Sequence, residues 1–439
     1  MIKLLHDSVK IELNNNIFGI DDFTKSFSYF DRLISNASFK KLFLIECDNS
    51  FESLSLYLWC LERQNTAILL PKNTKESIIQ EISDQYKPNC MYLNNELKII
   101  HNENLHLHKN LALLLTTSGS TGVQKCVRLS YENISSNMQS IAEYLKLNKN
   151  TNCLINLPLS YSFGLSILHS HLYKRSSVII SDIGPLEKGF YDFLKDKKVS
   201  SLYGVPFTFE MLLRTGLQSH NLPDLKFFAQ AGGHLVEKYK RLVLNYCEKN
   251  KVDFYVMYGQ TEASPRISYV PPKMLYKKID SIGVPIPGGK IDVDEKNSEL
   301  IYTGKNVMMG YAESYEDLSK GNLLNNILRT GDVGEIDPDG YFYIRGRIKR
   351  LIKISGIRFS LDSIEQKIQS TLGTRVACIG TDDKLKVIFD NADKNDAIRS
   401  MLVNDFKINN TKFKVIFVEE IKLNSNKKID YNALKELYG

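Results

Sequence analysis

A loop rich in glycine and hydroxyl residues, residues 116–125 (TTSGSTGVQK), follows directly on an apolar run. Glycine allows such a loop to turn its backbone N–H groups into one concavity, and Ser118, Ser120 and Thr121 add hydroxyl donors. Lys125 adds a compact positive charge. This pattern is typical of a loop that binds a polyphosphate, although the same composition also suits an ordinary surface loop. The GxxxxGK[ST] pattern of P-loop proteins does not occur in the sequence.

A second group of chemically capable residues is the segment MYGQTE, residues 257–262, at the end of another apolar run. Tyr258 offers a flat face for a purine, and Gly259 lets a base approach the backbone. Thr261 can donate a hydrogen bond to a phosphate, and Glu262 is a hard oxygen ligand of the kind that Mg²⁺ prefers. Each of these residues alone would be ordinary at the end of a strand.

Residues 329–332 read RTGD, and Arg347 follows fifteen positions after the aspartate. The two oxygens of Asp332 can accept hydrogen bonds from both hydroxyls of a ribose. In isolation, however, an aspartate after a glycine is usually a turn residue. Residues 353–365 and 424–434 add several lysines, any one of which could be a solvated surface charge.

The elements that must position these residues alternate between strand and helix in the first two thirds of the chain. The runs LFLIEC, SLSLYLWCLE and TAILLP predict a strand, a helix and a strand, and similar units continue to residue 262. This alternation indicates parallel sheets covered on both faces. After Ile282 the short strands and tight turns favour an antiparallel sheet or small barrel, and a boundary is predicted near Lys349.

Composition excludes several classes of protein. The formal charge of +7 is modest for 439 residues and is spread along the chain, so nucleic acid is not predicted as a partner. No stretch approaches the ~18 apolar residues of a membrane span, so no membrane is predicted as a partner either. Seven scattered cysteines form no CxxC pair, which favours reduced thiols in the cytoplasm. Two His-x-His pairs, 106/108 and 169/171, could place imidazoles on one face of a strand, but two ligands do not make a zinc site.

Together, the order and wording of these segments resemble the AMP-forming superfamily of acyl-CoA synthetases, peptide-synthetase adenylation domains and luciferases. The resemblance implies an α/β protein with two domains. Residues 1–347 would form a large N-terminal domain of two α/β subdomains and a small β-barrel. Residues 348–439 would form a small, mobile α+β C-terminal domain that closes over the active site.

The resemblance also assigns roles to individual residues. The nucleotide site would comprise Thr117, Ser118, Gly119, Ser120, Thr121, Gly122, Lys125, Gly232, Gly233, Tyr258, Gly259, Gln260, Thr261, Asp332 and Arg347. Catalysis would depend on Lys428, Thr261, Glu262 and Lys125, with Glu262 as the Mg²⁺ ligand. Lys427 replaces the glycine that precedes the catalytic lysine in the family, which makes Lys427 a second candidate. Lys349 would be the hinge, and Gly356 would enter the site for thioester formation.

The acyl pocket implied by the resemblance includes Tyr161, Phe163, Gly164, Phe207 and Gly232. Gly164 falls where amino-acid-activating relatives carry an aspartate, so an aliphatic, aryl or hydroxy acid is favoured over an α-amino acid. The expected function is activation of a small carboxylic acid with ATP and Mg²⁺, followed by transfer to a thiol. That thiol would be coenzyme A or the phosphopantetheine of an acyl carrier protein, with a slight preference for the carrier. An amino-acid-adenylating ligase, a non-catalytic nucleotide-binding regulator and a P-loop kinase are the alternatives.

Overall fold

The computed structural model describes residues 2, 4–34, 39–116, 125–424 and 428–439. Its largest sheet has nine strands in the order β15-β14-β13-β12-β11-β9-β10-β1-β2. These strands are β1 (Ile11–Leu13), β2 (Asn16–Phe18), β9 (Asn152–Ile155), β10 (Ser177–Ile180), β11 (Ser201–Gly204), β12 (Phe227–Gln230), β13 (Asp253–Gly259), β14 (Arg266–Val270) and β15 (Val284–Pro285). The central pairs are parallel, and antiparallel strands flank them.

A second sheet of seven strands has the order β18-β8-β7-β4-β3-β5-β6. Its strands are β3 (Leu42–Cys47), β4 (Thr66–Pro71), β5 (Cys90–Leu93), β6 (Glu96–Ile99), β7 (Leu111–Thr116), β8 (Cys126–Ser130) and β18 (Gly310–Ala312). Alternate residues of β3 enter different hydrophobic cores: Phe43 and Ile45 pack in one, Leu42 and Leu44 in the other. Because both faces are covered, the strand is a continuous apolar run.

Helices cover these two sheets and form part of the C-terminal region. They are α1 (Ile20–Leu33), α2 (Phe51–Glu62), α3 (Glu76–Tyr86), α4 (Tyr131–Tyr144), α5 (Ser162–Tyr173), α6 (Phe190–Asp196), α7 (Pro206–Arg214), α8 (Glu237–Asn250), α9 (Pro272–Leu275), α10 (Leu361–Leu372), α11 (Asn395–Asn404) and α12 (Tyr431–Tyr438). Several begin at side-chain caps: Ser130 accepts a hydrogen bond from the Asn133 N–H, and Asp430 accepts one from the Ala433 N–H. Among the described residues, no helix has the length and apolar character to cross a membrane.

The antiparallel region predicted after Ile282 is a four-stranded sheet in the order β16-β17-β19-β20. Its strands are β16 (Gly289–Val293), β17 (Glu299–Gly304), β19 (Ile327–Ile336) and β20 (Phe342–Arg347). Beyond it lie a hairpin of β21 (Leu351–Ile354) and β22 (Ile357–Ser360) and a three-stranded sheet of β23 (Val376–Thr381), β24 (Lys384–Phe389) and β25 (Phe413–Phe417). The architecture is therefore mixed α/β, with a large N-terminal and a small C-terminal part.

The C-terminal region has its own hydrophobic cores. Two clusters of apolar side chains form these cores, and every member of both clusters lies between Ile352 and Tyr438. Separate cores are what a small domain needs in order to fold as a unit. The boundary between residues 347 and 348 stays a prediction.

The structure contains one strand that was not predicted and corrects one local prediction. The strand β8 follows the predicted phosphate loop and pairs antiparallel with β7, with Thr116 opposite Cys126. His169 and His171 lie on α5 rather than on a strand. His169 contacts the Tyr57 hydroxyl at 2.9 Å, while the His171 Nδ1 contacts the Ile167 carbonyl, so the two rings serve separate buried contacts. No cluster of three or more metal-ligating side chains occurs within the described ranges.

Candidate active site

Among the described residues predicted to bind a nucleotide, Gly232, Gly233 and residues 258–261 lie at or just beyond the carboxyl ends of β12 and β13, beside the end of β11. These strands are parallel neighbours and end at Gly204, Gln230 and Gly259. The Ala231 N–H donates to the Gly204 carbonyl at 3.1 Å, which holds the start of the following segment against β11. The carboxyl edge of a parallel sheet is the usual ligand-binding position in open α/β folds.

Lys428, from the C-terminal region, reaches this edge of the sheet. Its Cε lies 3.6 Å from the position that a Cβ on Gly232 would occupy. Its ammonium group lies over the ring of Tyr161, with the Nζ 5.1 Å from the ring centroid. Two hydrogen bonds join Lys428 to Asn424. The Lys428 N–H donates to the Asn424 Oδ1 at 3.1 Å, and the Asn424 N–H donates to the Lys428 carbonyl at 2.8 Å. Lys427 lies outside the described residues.

Gly232 has a structural requirement for glycine. Its φ of +84° lies in the region that side chains disfavour, and a Cβ would meet the Tyr161 hydroxyl at 2.7 Å. The neighbouring Gly233 is exposed, and a Cβ there would lie 3.2 Å from the Pro206 Cγ. Gly232 therefore admits Tyr161 and Lys428 to the same small volume.

Asp332 forms a group with Tyr258 and Arg347, which we call the Asp332 triad. The Tyr258 hydroxyl donates to Oδ2, and the Arg347 Nε donates to Oδ1 at 2.9 Å. Burial raises the pKa of Asp332, against the opposing effect of Arg347, and burial also raises the pKa of Tyr258. Each carboxylate oxygen retains a second lone pair, so the triad can still accept from the hydroxyls of a ribose.

Glu262 follows Tyr258, a member of the Asp332 triad, by four residues, but its hydrogen-bond partners are different. Its Oε1 accepts from the Tyr311 hydroxyl at 2.7 Å, while the Met308 N–H donates to its backbone carbonyl at 2.9 Å. Burial, followed by the nearby Glu262 charge, raises the pKa of Tyr311, so the phenol remains a donor. A half-buried carboxylate with one oxygen engaged fits Mg²⁺, which usually takes one or two protein carboxylates together with substrate phosphates.

Thr261 and Lys125 also occupy this side of the molecule. The Thr261 hydroxyl lies 3.1 Å from the Ser162 hydroxyl at the start of α5. The Lys125 ammonium forms an ion pair with Glu313 in which both side chains are exposed. The residues between β7 and Lys125 that were predicted to cradle phosphate, Thr117, Ser118, Gly119, Ser120, Thr121 and Gly122, lie outside the described residues.

Gly259 and Gly164 each pack closely against a backbone carbonyl oxygen. A Cβ on Gly259 would lie 1.9 Å from the Pro265 carbonyl oxygen, so this turn excludes any larger residue. A Cβ on Gly164 would lie 2.4 Å from the Pro158 carbonyl oxygen. Gly164 therefore packs closely against the backbone of Pro158, and its place in the acyl pocket stays a prediction.

Three further predicted residues, Phe163, Phe207 and Gln260, are buried or half-buried. Phe163 is buried and makes an edge contact with Tyr161, their ring centroids 6.2 Å apart. Phe207 packs against the hydrophobic core to which Phe163 belongs. The Gln260 Nε2 is buried and has no hydrogen-bond partner in the described structure, as expected of a donor that meets a ligand.

Two predicted C-terminal positions lie outside this cluster. Lys349 is exposed in a short 3₁₀ turn, Ile348–Arg350. Gly356 occupies the hairpin between β21 and β22, where Ser355 and Gly356 have φ values of 51° and 84°. Positive φ at both central residues is the signature of a tight two-residue hairpin turn.

Several contacts at the site carried no signal in the sequence. Arg128 is completely buried, and its guanidinium donates to four backbone carbonyls, those of Met309, Tyr311, Lys320 and Gly321. These bonds fix the segment that presents Tyr311 to Glu262 and Glu313 to Lys125. The Arg375–Glu210 ion pair of 3.1 Å joins the C-terminal region to α7. Such partners come from distant parts of the chain, so local patterns cannot reveal them.

Comparison with known proteins is consistent with this geometry. The profile of the AMP-binding enzyme family matches residues 56–312, more than half of the chain. One Staphylococcus aureus 2-succinylbenzoate–CoA ligase is 30% identical over 281 residues, covering 62% of this chain and 55% of the ligase. The enzyme from another strain is 32% identical over 253 residues, covering 56% and 49% respectively. The chain thus spans about half the length of the curated relatives it matches.

Two solved structures share the fold over nearly the whole chain. O-succinylbenzoate coenzyme A synthetase from Bacillus subtilis in complex with AMP has a TM-score of 0.80 at 17% identity, covering 98% of this chain and 95% of that structure. ATP-bound MatB from Rhodopseudomonas palustris has a TM-score of 0.80 at 19% identity, covering 99% and 97%. These structures show the fold, and the family profile shows the family: the chain belongs to the AMP-binding enzyme family, within the AMP-forming acyl-activating superfamily.

Proposed function

We propose that this chain uses ATP and Mg²⁺ to convert a carboxylic acid into an acyl-adenylate, releases pyrophosphate, and transfers the acyl group to a thiol in the cytoplasm. The observation that carries the proposal is the position of Lys428. A lysine from the C-terminal region lies against Gly232 and Tyr161, at the edge of the sheet where Thr261 and Glu262 also lie. A nucleotide-binding regulator would have no need for a cation delivered there from a separate hydrophobic unit.

The chemistry requires positive charge at that point. A carboxylate that attacks the α-phosphate of ATP meets a like charge, so the barrier is mainly electrostatic and positional. Lys428 would neutralise charge on the reacting oxygens, and the Thr261 hydroxyl would donate to the α-phosphate. Mg²⁺, held by Glu262, would supply further positive charge on the phosphates.

The remaining residues would orient the nucleotide. The Asp332 triad would accept from the ribose, with Tyr258 and Gly259 beside the adenine. Gly233 and Gln260 would complete the nucleotide site, while residues 117–122 and Lys125 would hold the departing pyrophosphate. For thioester formation, the C-terminal domain, residues 348–439, would rotate about Lys349, withdraw Lys428 and bring in Gly356.

The names of the relatives support one acid and one acceptor first. Both ligases described above act on 2-succinylbenzoate and coenzyme A, according to their names. Coenzyme A is therefore the first acceptor to test, and an acyl carrier protein is the second. Tyr161, Phe163 and Phe207 supply an aromatic environment suited to the apolar part of such an acid.

The experiment is ATP–pyrophosphate exchange over a panel of carboxylic acids that includes 2-succinylbenzoate and the proteinogenic amino acids. We expect exchange with at least one acid, and a loss of about 100-fold or more in Lys428→Ala, because the lysine acts on charge that develops in the transition state. Lys435→Ala is the matched control, since that lysine is exposed on the nearby helix α12. Absence of exchange with every acid, or equal activity in Lys428→Ala and Lys435→Ala, would contradict the proposal.

A further inference from the structure

Arg266, the first residue of β14, is buried without an anionic partner. Only 2% of its surface is exposed, and its Nε has no hydrogen-bond partner in the part of the chain that the structure describes. No carboxylate among the described residues forms an ion pair with it. The undescribed positions, which are residues 1, 3, 35–38, 117–124 and 425–427, contain no Asp or Glu. The chain itself therefore has no carboxylate side chain to neutralise this guanidinium.

The backbone of Arg266 is firmly held, so the side chain cannot escape to solvent by a small shift. Its N–H donates to the Asn137 Oδ1 at 3.2 Å, and its carbonyl accepts from the Asn306 Nδ2 at 2.7 Å. In the antiparallel ladder it lies opposite Gly259, within the predicted nucleotide site. A long charged side chain normally extends to water when it can; here the strand directs it inward.

The groups that face the guanidinium are aromatic. Its Cζ lies 4.9 Å from the ring centroid of Phe163. Arg266 also lies close enough to Tyr144 and Tyr203 to oppose the rise that burial causes in their pKa values. A ring face and neutral phenols offset only part of the free-energy cost of removing a guanidinium from water. In an enzyme, such an incompletely neutralised cation is a natural partner for an anion that arrives with the substrate.

Phe163 connects Arg266 to the reacting end of the site. On one side Phe163 contacts the guanidinium, and on the other it makes the edge contact with Tyr161. Tyr161 in turn lies beneath the ammonium group of Lys428. An acid whose first carboxylate reacts beside Lys428 would therefore extend along these rings towards Arg266.

We propose that Arg266 is a specificity-determining residue that binds a second carboxylate at the far end of the acid. The inference rests on the proposed function and deepens it by naming the substrate class, dicarboxylic acids. The guanidinium can bind a carboxylate through two parallel hydrogen bonds, and its free Nε is one of the donors required. The aromatic rings between the two ends would contact the carbon chain of the acid.

The test is ATP–pyrophosphate exchange with pairs of acids that differ in one charge. The probes are succinate, glutarate, adipate, pimelate and 2-succinylbenzoate, each beside its monomethyl ester with the distal carboxylate blocked. In the unmodified chain we expect a KM for the best diacid at least tenfold below that of its ester. In Arg266→Met we expect the KM for the diacid to rise about 100-fold, since truncating one partner of a buried charge pair is costly. The ester should change less than about threefold.

Two further proteins separate recognition from folding. Lys240→Met removes another buried cation, whose contacts are with the Ile279 carbonyl and Asp280, and should preserve the preference for the diacid. If Arg266→Met does not fold, thermal unfolding of the unmodified chain with each acid decides the question, because only the diacid should raise Tm strongly.

The outcomes that overturn the inference are distinct from those that overturn the proposed function. Equal KM values for diacid and ester, or an equal rise for both in Arg266→Met, would remove the second-carboxylate site while exchange persists. A rise in the KM for ATP alone would assign the guanidinium to the nucleotide and overturn the inference as well. Exchange with no acid at all would instead overturn the proposed function.

Discussion

Two carboxylates on either side of residues 348 and 349 have the same kinds of partner, one arginine and one tyrosine. The first is the Asp332 triad. The second, which we call the Glu365 triad, consists of Glu365, Arg350 and Tyr431. In it, the Arg350 guanidinium donates to Glu365 at 2.6 Å, and the Tyr431 hydroxyl donates to the same carboxylate at 2.9 Å. Similar groups therefore occur on both sides of the predicted hinge.

The two triads differ in how far their arginines are enclosed, while both carboxylates are buried. The side chain of Arg347 is 63% exposed, whereas that of Arg350 is 14% exposed. Arg350 also donates to Asp362 at 2.6 Å and lies 4.0 Å from the ring centroid of Tyr431. Identical chemistry thus suits two purposes: an open triad can exchange partners with a ligand, and a closed triad holds the C-terminal region together.

The two arginines are anchored on opposite sides of the predicted hinge. Arg347 is tied to Asp332 on the N-terminal side, and the partners of Arg350 all lie in the C-terminal region. Between these two anchored arginines are only Ile348 and Lys349. We therefore expect a domain rotation to be concentrated in their backbone dihedral angles.

The largest expected difference between the triads is in stability. Arg350→Met leaves Glu365 and Asp362 without their buried cation and should lower the free energy of unfolding by about 3–5 kcal/mol. Arg347→Met, the matched substitution in the open triad, should lower it by less, about 1–3 kcal/mol, because the Arg347 side chain is largely solvated although Asp332 is buried. Urea denaturation followed by circular dichroism measures both. Equal losses in the two variants would break the distinction between open and closed triads.

A smaller effect should appear in the pH dependence of the closed triad. Burial raises the pKa of Glu365 from 4.5 to about 7, against the opposing effect of Arg350. Between these two values the folded chain keeps a proton that the unfolded chain loses, so the contribution of Glu365 to stability falls as pH rises. Between pH 5 and pH 7 the unmodified chain should lose about 2 kcal/mol relative to Glu365→Gln.

The measurement compares urea denaturation of the two proteins at pH 5 and pH 7. Other titrating groups are common to both proteins, so the difference between their unfolding free energies reports on Glu365. A difference that stays constant with pH would mean that Glu365 ionises as an ordinary carboxylate. The closed triad would then enclose Glu365 without changing its ionisation.

The open triad is also the part of this comparison that could be predicted from the sequence. Asp332, Arg347 and Tyr258 all lie within motifs whose spacing is readable along the chain. Glu365 and Arg350 lie at the end of residues 353–365 and just before them. Nothing local along the chain indicates that these two residues form a group with Tyr431, which is 66 residues away from Glu365. Motifs report on ligand chemistry, whereas a closed ion-pair network is fixed by tertiary packing.

The same limit explains the errors elsewhere. The alternation of strands and helices predicted the parallel sheets because apolar periodicity is a local property. Sequence does not distinguish a glycine that faces a ligand from one that packs against a carbonyl, so Gly164 stays a predicted pocket residue. Arg266 was missed because nothing in its neighbours along the chain distinguishes a buried arginine from an exposed one. The three-dimensional position of a side chain decides both of these cases.

The smallest expected effect concerns the open triad and ATP. Asp332→Asn preserves the shape of the side chain but weakens its hydrogen bonds to ribose hydroxyls, so the KM for ATP in pyrophosphate exchange should rise about tenfold. Glu365→Gln is the matched substitution in the closed triad and should change that KM by less than about twofold. Thermal unfolding of both variants checks that neither result comes from loss of folded protein. If the two substitutions raised the KM for ATP equally, nucleotide binding would depend on the closed triad as well, and the open triad would have no special role in recognising ribose.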